Sequence, residues 1–217
     1  MRIIFANRYF HPDQSATSRM LSSLAFALAR RGLKVVVVTS RDLHDDRKVV
    51  LPSNEMVSGV SIRRLGTTNC GRHNLIGRSI DYLLFHVVAL FWLLTKVHEG
   101  DIAVVCTDPP LLSVTSAIGL RLKNATMVNW IMDLFPETAI ELGYFAHRKR
   151  LARLAIAIRN WSLRTPGITV CPTEPMAHYI GLQGLADKNI LVLPHWADSN
   201  EIRPVERSAN MLRRTWG

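Results

Sequence analysis

Residues 2–41 read RIIFANRYFHPDQSATSRMLSSLAFALARRGLKVVVVTSR, and this stretch decides the fold. Residues 2–6 form a short apolar run. A polar loop follows over residues 7–17. Leu21, Leu24, Ala25 and Leu28 then recur at helical spacing on one face. Thr17 or Ser18 suits the cap at the start, and Gly32 stands where a left-handed C-terminal cap is wanted. Residues 34–39, KVVVVT, are a continuous β-branched run. Such runs belong to strands covered on both faces in a parallel sheet. The order is strand, loop, helix, buried strand.

The alternation continues outward from there. Residues 60–65, 103–106, 126–131, 168–171 and 190–193 read as strands. Residues 75–98, 111–123, 148–164 and 176–182 read as helices. Alternating elements of this kind imply βαβ units, so the expected fold class is α/β. The architecture is a Rossmann-like, doubly wound, mostly parallel sheet. Residues 41–59 are polar and irregular, with a charge run over 41–48, and read as a mobile surface excursion. The most apolar stretch, residues 82–94 (YLLFHVVALFWLL), falls short of the roughly 20 residues that span a bilayer. His86 sits in its middle, and a buried helix is the expectation. Residues 1–193 form the expected domain. Residues 194–217, beginning PHWADSNEIRP, read as a linker and the start of a helix belonging to a further domain.

Composition narrows the function. Of 217 residues, 48% are hydrophobic and 20% charged, which fits a folded globular chain. The formal net charge of +10 calls for an anionic partner: nucleic acid, an acidic membrane surface or a phosphorylated substrate. Cys70, Cys106 and Cys171 form no CxxC pair, and read as inert buried thiols in a reduced compartment. The apolar run at the N-terminus stops at Asn7 and Arg8, too early for a signal-peptide core. The eight histidines show no HxH or HExxH spacing, so no metal site is expected.

Ligands of doubly wound sheets bind beyond the carboxyl ends of the strands. That rule selects residues 7–17, 107–110, 132–137 and 172–174. The first loop has no glycine, so a GxGxxG dinucleotide site is disfavoured. Its small run Ser15-Ala16-Thr17 still lets a substrate approach the backbone at a helix N-terminus. In residues 130–137, WIMDLFPE, Asp133 stands just past a hydrophobic strand. A carboxylate there either binds sugar hydroxyls or accepts a proton from an attacking hydroxyl, or simply caps the next helix. Pro136 begins that helix and Glu137 suits its first turn. In residues 107–110, TDPP, Asp108 is placed to cap a helix opened by the prolines. The helix at 147–164, HRKRLARLAIAIRNWSLR, carries a stripe of Leu151, Leu154, Ala155 and Ile158. Arg148, Lys149, Arg150 and Arg153 surround its start. Such a helix either packs its stripe on its own sheet or lies on an anionic membrane.

With these residues in view, the chain resembles family 4 glycosyltransferases of the GT-B fold. Residues 1–41 look like that family's opening strand, proline-containing loop, helix and second strand. Residues 129–137, NWIMDLFPE, resemble the DLxPE signature of the branch that builds bacterial polysaccharides, including colanic-acid and O-antigen enzymes. Residues 170–180, VCPTEPMAHYI, resemble the strand–turn–helix where members carry a serine-rich turn. Residues 189–198, NILVLPHWAD, resemble the passage into the second domain. The resemblance implies retaining, metal-independent transfer from a nucleotide-sugar, which is a substrate; no cofactor is implied. It implies an N-terminal, acceptor-side domain with Asp133 at the catalytic cleft. Gln14, Ser15, Ala16 and Thr17 then face donor phosphates and acceptor, and Asp108, Glu137 and Thr173 are further substrate-binding candidates. Expected partners are the nucleotide-sugar, a lipid-linked or saccharide acceptor, an anionic inner membrane surface and a separate donor-binding domain. No nucleic acid is expected. The expected place is the cytoplasm, peripheral to the membrane. The donor-binding segment Glu-x7-Glu is not found in these residues, so no activity is expected of the chain alone. Two alternatives stay open: the non-catalytic half of a split transferase, and a basic Rossmann-like module that binds nucleic acid.

Overall fold

The computed structural model describes residues 1–46, 49–66, 68, 75–145, 148–165, 167–185, 189–197 and 204–216. Among the described residues, eight strands form one sheet: β1 (Ile3–Ala6), β2 (Val35–Ser40), β3 (Asn54–Val57), β4 (Val60–Leu65), β5 (Ile102–Val105), β6 (Thr126–Trp130), β7 (Gly167–Cys171) and β8 (Ile190–Val192). Among the described residues the helices are α1 (Ala16–Arg30), α2 (Leu75–Lys96), α3 (Leu112–Leu122), α4 (Glu137–Glu141), α5 (Lys149–Leu163), α6 (Glu174–Leu182) and, after the last strand, α7 (Met211–Trp216). The strand order is β3-β4-β2-β1-β5-β6-β7-β8, and only β3 runs antiparallel. The order reverses between β1 and β5, which makes that boundary the switch point of a doubly wound sheet.

The strands are short, and their two faces feed two cores. Ile4 and Ala6 join Phe85, Ala89 and Leu93 of α2 and Leu112, Ala117 and Leu120 of α3. Phe5 turns the other way and packs with Leu21 and Ala25 of α1. A third cluster gathers Leu163 of α5 with Ala177 and Ile180 of α6 beyond β7. His86 ties α2 to the loop before α3, with Nε2 3.1 Å from the Pro110 carbonyl and Nδ1 3.0 Å from Thr115 Oγ1. Burial lowers its pKa, and the Pro110 carbonyl pulls it back up. The expected Rossmann-like α/β class is thus the observed one, and Gly32 takes the left-handed conformation foreseen for it, at φ +83°.

Several local expectations differ from the structure. Residues 41–59 are not simply an excursion. They contain β3, and Arg41 and Leu51 pair through Leu51 N–H to the Arg41 carbonyl and Arg41 Nε–H to the Leu51 carbonyl. Arg47 and Lys48 lie outside the described residues. Ser58 and Gly59 both have positive φ, 47° and 81°, giving the two-residue turn whose twist suits a hairpin. Asn54–Val57 has no alternating apolar face, which is why its pattern does not show. α1 begins at Ala16 with Ser15 in the cap position, and Ser18 Oγ instead donates to the Asp13 carbonyl at 2.9 Å. α3 begins only at Leu112, because Leu111 sits in the left-handed region at φ 65°. The proline pair therefore makes a turn, and Asp108 caps nothing.

Two helices face differently from expectation. α2 is not wholly buried: Phe85 and Ala89 are enclosed, whereas Leu83, Val87 and Phe91 are exposed. By length and composition alone, residues Ile76–Lys96 are sufficient to cross a membrane. On α5 the buried residues are Ala152, Arg159, Asn160, Ser162 and Leu163. Its apolar stripe of Leu151, Leu154 and Ile158 therefore points away from the sheet.

Gly167 marks the tightest backbone approach. At φ +149°, a Cβ there would stand 1.7 Å from the Met127 carbonyl oxygen, inside the β6–β7 pairing. Gly167→Ala is expected to destabilise the fold by about 3 kcal/mol or more, because backbone rather than a flexible side chain must move. Urea denaturation showing a loss under about 1 kcal/mol would contradict this.

Candidate functional site

The site is built on the loop that leaves β1. Arg8 N–H donates to the Asp108 carbonyl at 2.8 Å. The Arg8 carbonyl accepts from Ser40 N–H at 2.9 Å and Thr39 Oγ1 at 2.8 Å. The loop is thus fastened to strands on both sides of β1. The Arg8 side chain is 2% exposed. Its guanidinium lies 4.9 Å from the Tyr82 ring centroid and 3.9 Å from Asp81 Oδ2. Further along, buried Asp13 accepts from Ser15 N–H at 2.8 Å, from Ser15 Oγ, and from His44 N–H. This folds the loop back and starts α1. Arg8 and Asp13 escape a search of the sequence because both are ordinary polar loop residues until tertiary contacts bury them.

A cleft of about 690 Å³ opens along α1. Gln14, Ala16, Thr17 and Arg19 line it together with Met132 and Asp133, just beyond the carboxyl end of β6. His195 and Trp196 also line it, as do His11, Asp13, Phe26 and Arg30. The Trp196 indole stacks on Trp130 with centroids 5.8 Å apart and planes 13° from parallel. Its Nε1–H donates to Ser23 Oγ on α1 at 3.3 Å. The volume is that of an ordinary small-molecule site. The exposed Asp133 carboxylate stands at its rim, as the strand-end rule anticipates. His195 and Trp196 carry no signal of a binding role in the sequence; they lie in the aperiodic segment that resembles the passage into a second domain.

The structure brings together some of the sequence candidates and separates others. Gln14, Ala16, Thr17 and Asp133 share the cleft. Ser15 sits at the start of α1 and turns its hydroxyl to Asp13. Asp108 is half-buried near the switch point and does not line the cleft. Glu137 accepts from Arg159 of α5 and from Tyr179 Oη of α6 at 3.0 Å, joining three helices. Thr173 caps α6 by accepting from Met176 N–H at 3.4 Å. Arg148, Lys149, Arg150 and Arg153 are all exposed on or beside α5, away from the cleft. Cys106 and Cys171 are buried free thiols, and burial pushes both pKa values up, Cys171 to about 11. Cys70 lies outside the described residues. Among the described residues no group of His, Cys, Asp and Glu is arranged to hold a metal ion.

This geometry has counterparts. The profile of the glycosyl transferase 4-like domain family matches residues 15–196, and the chain belongs to that family. Among solved structures it is similar to the Anabaena protein Alr3699/HepE in complex with UDP and glucose. There the TM-score is 0.56 at 14% identity, covering 100% of this chain and 50% of that one. The same Anabaena protein in complex with UDP-glucose gives a TM-score of 0.56 at 12% identity, covering 99% and 49%. The chain thus spans about half the length of these structures. No curated protein matches it in sequence. The fold is that of one half of a GT-B glycosyltransferase.

Asp108 supplies a pH-dependent signature. Burial lifts its pKa to about 6; Arg8 and His44 pull it down, while Asp13 and Asp133 push it up. Between about pH 4 and pH 6 the folded chain holds a proton that the unfolded chain has released. Stability therefore falls as pH rises through that window, and the cost is fully present above it. Asp108→Asn is expected to gain about 1–3 kcal/mol over the parent near pH 8 and to lose that advantage near pH 4. Urea unfolding at the two pH values checks this, and an equal difference at both would contradict it.

Proposed function

We propose that this chain is the acceptor-side half of a retaining, metal-independent glycosyltransferase. The enzyme moves a sugar from a nucleotide-sugar to an acceptor in the synthesis of a cell-surface polysaccharide. One observation carries the reading. In a member of the glycosyl transferase 4-like family, the β1–α1 loop and Asp133 line one ligand-sized cleft at the sheet's carboxyl edge. Asp133 is placed to bind an acceptor hydroxyl or take its proton. Gln14, Ser15, Ala16 and Thr17 present the start of α1, where N–H groups of the first helical turn favour phosphate oxygens, although Ser15 N–H itself is held by Asp13. Glu137 and Thr173 act by holding the loops after β6 and β7, and Asp108 by setting the charge beneath the cleft. That the relatives resembled are crystallised with UDP and UDP-glucose supports a uridine-linked donor.

The donor is held mainly by a second domain, which the half-length match to those structures supports. The acceptor is lipid-linked and the enzyme is peripheral to the cytoplasmic side of an anionic membrane. The exposed cations Arg148, Lys149, Arg150 and Arg153 support that placement.

Two outcomes test this. The 217-residue chain alone shows no turnover of UDP-glucose, because transfer needs both substrates held together; turnover appears when a donor-binding domain is supplied. Activity of the chain alone would overturn the division of labour. In the complete enzyme, Asp133→Asn is expected to lower kcat about 100-fold or more with an unchanged melting temperature. A variant that keeps its rate and loses stability would make Asp133 a structural residue.

A further inference from the structure

The layer formed by α2, α3 and α5 presents an outer surface that neither the core nor the cleft uses. On α2, Ile76, Ile80, Leu83, Val87 and Phe91 recur at spacings of three and four, and each is between 45% and 74% exposed. The row is on the order of 22 Å long at helical rise. Outward positions of a surface helix are ordinarily polar, and a contiguous apolar row marks an interaction surface. The opposite side of α2 is already committed, with Phe85, Ala89 and Leu93 in the core. The helix therefore has two apolar faces with separate destinations, and it cannot leave the sheet to cross a bilayer.

The row itself carries no charge. Arg78 and Lys96 are exposed but fall on the other side of α2 at helical spacing, and Asp81, the carboxylate of α2, is fully buried, so the positive charge comes from the neighbouring helices. α3 packs closely against α2 at Gly119, where a Cβ would meet Leu93 Cβ at 3.2 Å. It extends the surface with Ile118, Leu122 and Arg121. The Arg121 guanidinium lies 4.3 Å from the Trp161 ring centroid and so ties α3 to α5. On α5, Leu151, Leu154 and Ile158 point outward among the cations already named. Neither α3 nor α5 contains an acidic residue.

Charge decides the occupant. A second copy of this chain would set these cations against themselves. An anionic bilayer offers negative headgroups at its surface and acyl chains just beneath, which matches an apolar row on α2 beside helices that carry Arg and Lys and no acidic residue. We propose that α2 lies in the plane of an anionic membrane interface as a shallow apolar wedge, with α3 and α5 resting beside it. This deepens the membrane placement proposed above by naming the inserting element and adding apolar burial to charge. It does not depend on the transfer chemistry, because the cleft is built on α1 and the strand ends.

The test uses the 217-residue chain and vesicles of phosphatidylcholine with or without phosphatidylglycerol. The parent is expected to bind only the anionic vesicles, to keep part of that binding at high salt, and to raise the surface pressure of an anionic monolayer. Leu83→Gln, Val87→Gln and Phe91→Gln together should weaken partitioning about tenfold or more and abolish the salt-resistant part. Circular dichroism should be unchanged, since all three side chains are exposed. Replacing Arg148, Lys149, Arg150 and Arg153 by Gln should remove mainly the salt-sensitive part. A parent chain that leaves the monolayer pressure unchanged overturns the proposal without any variant. So does a triple variant that binds like the parent. A parent dimer that the triple variant splits, with vesicles ignored, would assign the surface to a second copy instead.

Discussion

The main chain of Arg8 is held by β2 on one side and by the loop after β5 on the other. Ser40 and Thr39 donate to its carbonyl, and its own N–H reaches Asp108. These bonds close the switch point of the sheet, where neighbouring connections depart to opposite faces. Everything around the cleft follows from that fastening. The direction of residues 9–15 fixes where Asp13 turns the chain, and that turn fixes where α1 begins. The loop after β5 is set by the same bonds, which brings Asp108 under the influence of Arg8, Asp13 and Asp133. A buried arginine beside a buried aspartate is costly to assemble, and leaving either without the other is costlier. Arg8 and Asp81 therefore act as a mutual requirement that keeps α2 against the β1 loop.

Where the sequence was readable, it was readable through repetition. The β-branched run of β2 and the strand–helix alternation announce a parallel sheet, because those strands are covered on both faces. Asp133 was findable because the end of an apolar strand is a fixed place in such a sheet. β3 was not, since Asn54–Val57 lies at the sheet edge with Met56 in solvent and no apolar face to repeat. The starts of α1 and α3 were misplaced for a related reason. Candidate capping residues were present, but Ser18 is engaged by the Asp13 carbonyl, and Leu111 adopts a conformation that side chains alone do not reveal. Glu137 and Thr173 sit at the correct ends of strands, yet Glu137 Oε1 is taken by Arg159 and Tyr179, Glu137 Oε2 is buried without a hydrogen-bond partner, and Thr173 Oγ1 is taken by its own helix.

The orientation of amphipathic helices was the least legible feature. α5 shows a clear apolar stripe, and a stripe in sequence does not state which way it faces. In the structure the small residue Ala152 and the polar pair Arg159 and Asn160 occupy its inner side. They do so because Arg159 has a carboxylate waiting in Glu137, and Asn160 reaches Gln183 at 3.1 Å. A polar network with its partners in place displaced the aliphatic side chains outward. α2 shows the same ambiguity in another form, since a helix with apolar residues on two faces gives no sign of which half is core.

Trp196 and Trp130 form a parallel indole pair at the boundary of the cleft, one carried by the sheet and the other by the segment after β8. The outer indole is also moored to α1 through Ser23. Any displacement of that segment must separate the two rings, break the moorage and widen the cleft in a single motion. The shape of the cleft and the electronic environment of two intrinsic fluorophores are therefore the same coordinate. The protein carries a built-in optical gauge of its own aperture, readable without a label.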